Sequence, residues 1–236
     1  MSEEHGPLYA VSPLDGRYAT RTAPLVEYAS EAALMRARVR VEIEYLLALA
    51  DLDAVELEVD DRTAEDLRAC YESFDEADAE LIKRIETTGA RGYEATNHDV
   101  KAVEYFLRER TPERLHPWLH FGLTSEDVNN LAYRFLVRGA LEDVLLVELR
   151  AVRDALVELA HEYDDLPMLA RTHGQPATPT TFGREMAVYA SRLGRTMGDI
   201  QSGTDSLSGK LAGASGTYAA HTVAYPDVDW PTFSRD

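Results

Sequence analysis

From Thr124 to Leu159 the chain carries no proline, and its apolar side chains recur at steps of three and four residues. Val128, Leu131, Phe135, Leu141, Leu145, Leu149, Val152, Leu156 and Leu159 form one stripe, the period of a helix rather than of a strand. Thr124-Ser125-Glu126-Asp127 places a capping pattern at its start, and the next proline is Pro167. At 1.5 Å per residue this helix would be roughly 55 Å long, more than a small compact domain needs. A helix of that length belongs in a bundle or coiled coil, packed at shallow angles.

The remaining periodicity agrees. The spacing predicts an antiparallel return over 179–202, where Phe182, Met186, Tyr189, Leu193, Met197 and Ile200 repeat the same steps. Thr178 would cap it and Pro179 suits its first turn. Helices are also expected from Pro24 to about Leu52, from Thr63 to about Thr88, and from Asn97 to Arg110, the last with Thr96 and Asp99 in capping positions. Alternating strands are absent apart from a possible hairpin at 55–59. The expected class is all-α: an amino-terminal helical domain over 1–116, then the first long helices of a bundle over 117–236. Pro112 and Pro117 mark the boundary.

Composition narrows the partners. The net charge is −18, and only Lys83, Lys101 and Lys210 are lysines. Such a surface repels nucleic acid and anionic membrane, so both are poor partners. It suits a protein dissolved in concentrated salt, where charge repulsion is screened within a few ångströms, and a halophilic cytoplasm is the expectation. Cys70 is alone, which rules out an intrachain disulfide and fits a reducing compartment. The start, Met1-Ser2-Glu3-Glu4-His5, is acidic and unlike a signal peptide, and no apolar run is long enough to span a bilayer.

Polar clusters carry the chemistry. Arg171-Thr172-His173-Gly174-Gln175-Pro176-Ala177-Thr178-Pro179 holds one histidine between residues that restrict the backbone, leading into a long helix. An imidazole so placed suits general acid–base work near neutrality, and it equally suits a solvated loop beside a helix cap. Asn97-His98-Asp99 and Thr124-Ser125 lie at helix starts, where amides and the helix dipole attract anions and disfavour imidazolium. Ordinary capping explains either cluster taken singly. Ser12-Pro13-Leu14-Asp15-Gly16-Arg17-Tyr18 is a turn presenting an arginine able to grip a carboxylate or phosphate, or simply a surface arginine. Ser208-Gly209-Lys210-Leu211 invites a phosphate-loop reading but fails it: Gly203 is one position too far upstream, and Leu211 stands where a hydroxyl is needed. No zinc or serine-hydrolase motif occurs, and no metal is expected.

Together these segments resemble the bacterial-type adenylosuccinate lyase family of the fumarase/aspartase superfamily. The resemblance rests on SPLDGRY (Ser12–Tyr18), TNHDVKAVEYFL (Thr96–Leu107), GLTSEDVNN (Gly122–Asn130), RTHGQPATP (Arg171–Pro179), GKLAGASGTYAAH and AYPDVDW (Ala224–Trp230). It covers essentially the whole chain. It implies a cofactor-free β-elimination that releases fumarate from a succinyl-purine nucleotide, in a homotetramer whose active sites draw on three subunits. By resemblance His173 is the acid, and Arg17, Tyr18, Asn97, His98, Asp99, Thr124, Ser125 and Thr172 contact substrate. The family's base, a serine in a loop resembling GSSxMPxKxNP, has no counterpart here. The chain is therefore expected to be a fragment, inactive alone. Argininosuccinate lyase or fumarase chemistry, and a non-catalytic helical module, stay open as alternatives.

Overall fold

The Ser30 hydroxyl accepts the Ala33 amide at 3.1 Å and opens helix α1, Glu31–Ala50. The structure, a computed structural model, describes residues 7–235. They fall into two compact units: the chain up to Val137 together with Ser208 onward, and Arg138–Leu207. The boundary expected at 116/117 lies inside the first unit. There Pro112 and Pro117 flank and enter a 3-10 turn, Glu113–Trp118, whose Leu115 is buried in the core.

In the first unit α1 is apolar on two sides, as a helix between two layers must be. Met35, Val39, Ile43, Leu46 and Leu49 enter the main core; Ala33, Ala37 and Val41 meet a second cluster with Val100, Val128, Ala132 and Leu136. The main core is closed by α2 (Asp61–Glu72), α3 (Glu76–Thr87) and α4 (Asp99–Arg108), through Leu67, Ile82, Ile85, Val103 and Phe106. Phe106 is fully buried, and truncating such a ring costs about 3–5 kcal/mol.

The single helix expected over 63–88 is broken. Asp75 and Asp78 form a reciprocal capping box that restarts the chain as α3, and a local cap outcompetes one more helical turn. No strand forms at 55–59. Val55 and Leu57 insert into the core from an irregular turn.

The long helix is present. α5 (Ser125–Gly139) passes through a π-helical segment, Ala140–Leu145, into α6 (Leu146–Glu162). The second unit then adds what periodicity did not show: an antiparallel hairpin of β1 (Pro167–Thr172) and β2 (Gln175–Thr181). Pro179 is not the first helical residue; it pairs with Leu169 in the ribbon. Helix α7 starts later, Phe182–Asp205, with Thr181 rather than Thr178 as its cap. Prolines are tolerated because both strands of a two-stranded ribbon are edges. α7 returns against α6. They cross closely where Gly183 meets the end of α6, and a Cβ there would lie 2.4 Å from the Ala160 carbonyl oxygen.

Candidate functional site

In the first unit, two helix starts far apart in sequence meet. Asn97 adopts φ 49°, in the left-handed region that asparagine tolerates best among side-chain-bearing residues. It turns the chain into α4, whose cap is His98 rather than Thr96: the Nδ1 of His98 accepts the Lys101 amide at 3.2 Å. Thr96 instead braces the turn, its hydroxyl bonded to the His98 backbone. A neutral imidazole that accepts at Nδ1 carries its proton on Nε2. That Nε2 lies 3.4 Å from the Ser125 hydroxyl at the start of α5. A donor, a hydroxyl and two positive helix ends thus share one surface, the arrangement that holds a carboxylate or phosphate.

Asp99 faces the opposite way chemically. Arg38 donates to its carboxylate at 2.6 Å while its Nε bonds Asn129 at 2.8 Å. Burial works against ionisation of Asp99. The Arg38 charge, the Val100 amide and the Arg38 hydrogen bond outweigh it and hold the carboxyl below its usual range. Asp99 is therefore a fixed anion that orients the turn.

Thr124 is anchored through its backbone. Its amide donates to Asp127 Oδ2 at 2.8 Å, and the Asp127 amide returns to its carbonyl. The preceding loop is held from two sides. Buried Glu42 accepts the His120 amide at 3.0 Å and bonds its Nδ1 at 2.6 Å. His221, 2 % exposed, packs under Gly122 so closely that a Cβ there would lie 2.8 Å from its Nε2. Arg38, Glu42 and His221 were not singled out in the sequence, because each acts on a residue distant along the chain.

Arg17 and Tyr18 are exposed, the guanidinium 5.6 Å from its neighbour's ring centre. Thr172 and His173 belong to the second unit. There Thr172 pairs with Gln175, so His173 and Gly174 form a two-residue turn with φ 53° and 76°. Two positive φ values mark the mirror-image turn whose twist matches a hairpin. The imidazole sits at the exposed tip of the ribbon.

A family model described as Lyase matches residues 16–234. The chain belongs to the lyase family. Among curated lyases it is 45 % identical over 237 residues to adenylosuccinate lyase of Vibrio cholerae and 44 % identical over 237 residues to that of Escherichia coli, in both covering 97 % of this chain and 50 % of the relative. Adenylosuccinate lyase of Dictyostelium discoideum is 42 % identical over 241 residues, 97 % of this chain and 49 % of the relative. The chain thus spans about half the length of the curated lyases it matches. Among solved structures, a fumarate lyase from Mesorhizobium sp. BNC1 aligns with TM-score 0.70 and 26 % identity, over 90 % of this chain and 46 % of that one. A β-carboxy-cis,cis-muconate cycloisomerase from Acinetobacter calcoaceticus shares the fold, with TM-score 0.67 at 22 % identity over 90 % of this chain and 46 % of that one.

Proposed function

We propose that this chain supplies the amino-terminal part of an adenylosuccinate lyase, splitting adenylosuccinate into AMP and fumarate, and SAICAR into AICAR and fumarate. The meeting of His98 and Ser125 at two helix starts carries this reading. It gives a strongly acidic protein a local place for a polyanionic substrate, and the sequence relatives named adenylosuccinate lyase favour the purine substrates.

In the elimination a base removes a proton from the carbon beside a substrate carboxylate, the C–N bond breaks toward nitrogen, and an acid protonates that nitrogen. His173 is the acid in this reading. Arg17, Tyr18, Asn97, His98, Asp99, Thr124, Ser125 and Thr172 bind or orient the succinyl nucleotide. A proton donor works best where water is excluded, so the exposed tip of the ribbon calls for a covering surface. A homotetramer would provide one. The exposed Val147, Val152 and Val157 of α6, with Val188 and Tyr189 of α7, offer apolar surface for such assembly. The acidic composition fits a salt-rich cytoplasm. No residue here is assigned as the base, and no turnover is expected from this chain alone.

The test is fumarate release from adenylosuccinate, followed by absorbance, for the chain alone and for the chain complemented with a carboxy-terminal portion bearing the serine loop. Turnover should need complementation and should favour adenylosuccinate over argininosuccinate and malate. Release by the chain alone would place the base within these 236 residues; preference for argininosuccinate would replace the substrate.

A further inference from the structure

Lys210, whose surroundings imitate a phosphate loop in composition only, spends its charge inside the protein. Its ammonium lies 2.9 Å from Asp127 Oδ1 and also donates to the Gly213 carbonyl. Asp127 has no exposed surface. Its Oδ1 accepts the Ala212 amide at 2.9 Å, and its Oδ2 accepts the Thr124 amide at 2.8 Å. One carboxylate therefore joins the start of α5 to the 210–213 segment. One turn along, Asn130 repeats the link, accepting the Lys210 amide at 2.7 Å and donating to its carbonyl at 2.9 Å. Gly213, at φ 76°, completes the contact: a Cβ there would come within 3.1 Å of the Gly122 oxygen.

A buried carboxylate without a counter-charge is strongly unfavourable, and here an ammonium and two backbone amides converge on one. Lys210 supplies the counter-charge. We propose that Lys210 and Asp127 are positioning residues for the anion-holding turn: the ammonium and the Ala212 amide hold the Asp127 carboxylate in place, and Asp127 fixes the Thr124 backbone so that the Ser125 hydroxyl faces His98. What that turn binds rests on the lyase reading above; the clamp itself does not.

Lys210→Met, Lys210→Arg and Asp127→Asn test this with two readouts. In the chain itself, amide hydrogen exchange at Thr124 and Ala212 should accelerate at least tenfold in Lys210→Met and Asp127→Asn. It should recover in Lys210→Arg, while the Ile85 and Phe106 amides keep their protection. In the complemented lyase, Lys210→Met should raise KM at least tenfold with kcat within threefold, and Lys210→Arg should return KM to within threefold of the unaltered protein. Unchanged exchange at Thr124 and Ala212, or an unchanged KM, overturns the proposal. Loss of protection at Ile85 as well makes Lys210 a general stability residue and overturns it too. No turnover by the unaltered complemented protein sinks the lyase reading and with it the positioning role, while the exchange arm still reads the clamp by itself.

Discussion

His98 Nε2 and Ser125 Oγ stand 3.4 Å apart although 27 positions separate them in the chain. The histidine does two things there: Nδ1 caps α4 and Nε2 faces the serine. Replacing His98 by alanine removes the cap and should cost about 1 kcal/mol, whereas asparagine, a good capping residue, should recover most of it. Neither should restore substrate affinity in the complemented enzyme. Urea midpoints and KM together separate the two roles.

Ser125→Ala removes a hydroxyl at an exposed helix start and leaves the Thr124–Asp127 backbone links intact. Stability should stay within about 0.5 kcal/mol. Turnover of adenylosuccinate at low concentration should fall at least tenfold through KM. Unchanged kcat/KM would remove Ser125 from the site.

His120 and His221 should respond to pH in opposite senses. Burial opposes the charge on His120, but the Glu42 hydrogen bond and charge outweigh it and raise its pKa. Its contribution to stability is complete below the unfolded value, about 6.5, and fades as pH climbs through the folded value. Burial lowers the pKa of His221, only partly offset by Asp127. Its Nδ1 lacks a hydrogen-bond partner among the described residues, and its Nε2 meets the Tyr45 hydroxyl at 2.9 Å. Its contribution is complete above about 6.5 and is lost as pH falls toward the folded value. Urea midpoints from pH 5 to 9 should show a flatter acid limb in His221→Phe and a flatter alkaline limb in His120→Gln.

His173 occupies a left-handed position at the tip of the ribbon. His173→Asn suits that backbone and should leave thermal stability and helical circular dichroism nearly unchanged, while alanine should cost about 1–2 kcal/mol. Both should lower kcat of the complemented lyase by roughly 10²–10⁴, the size of a lost proton donor. Activity surviving in the asparagine variant would make His173 a turn residue only.

Gly183→Ala places a methyl against the Ala160 and Tyr163 carbonyls and the Asp164 Cα, all backbone atoms unable to yield like a side chain. The α6–α7 pair should lose about 1–3 kcal/mol or more, read from the thermal midpoint. The adjoining hairpin should exchange its amides faster. Gly198→Ala, on the same helix with nothing near its added methyl, should be neutral or slightly stabilising and serves as the control.

The helices were legible because their signals are local. The stripe from Val128 to Leu159 and the capping pattern at Thr124–Asp127 lie within a few residues of what they control. The caps at Ser30 and Asp75 are as local but went unread, so the helix starts at Glu31 and Glu76 were missed. The hairpin was not legible. Its strands are exposed on both faces, so neither shows apolar alternation, and Pro176 and Pro179 imitate loop and helix-start signals. The histidine motif stood out, yet its placement at a ribbon tip depends on two positive φ angles that residue type only permits.

Residue order alone determined which segments coil, where some of them begin, and where the polar motifs lie. Those outcomes follow from interactions between neighbours on one turn or one cap. Only the tertiary structure decided that Arg38 steadies Asp99, 61 positions away, and that Lys210 neutralises Asp127. Such pairings arise because a buried charge must find a counter-charge wherever packing brings one, and packing is a property of the whole folded chain.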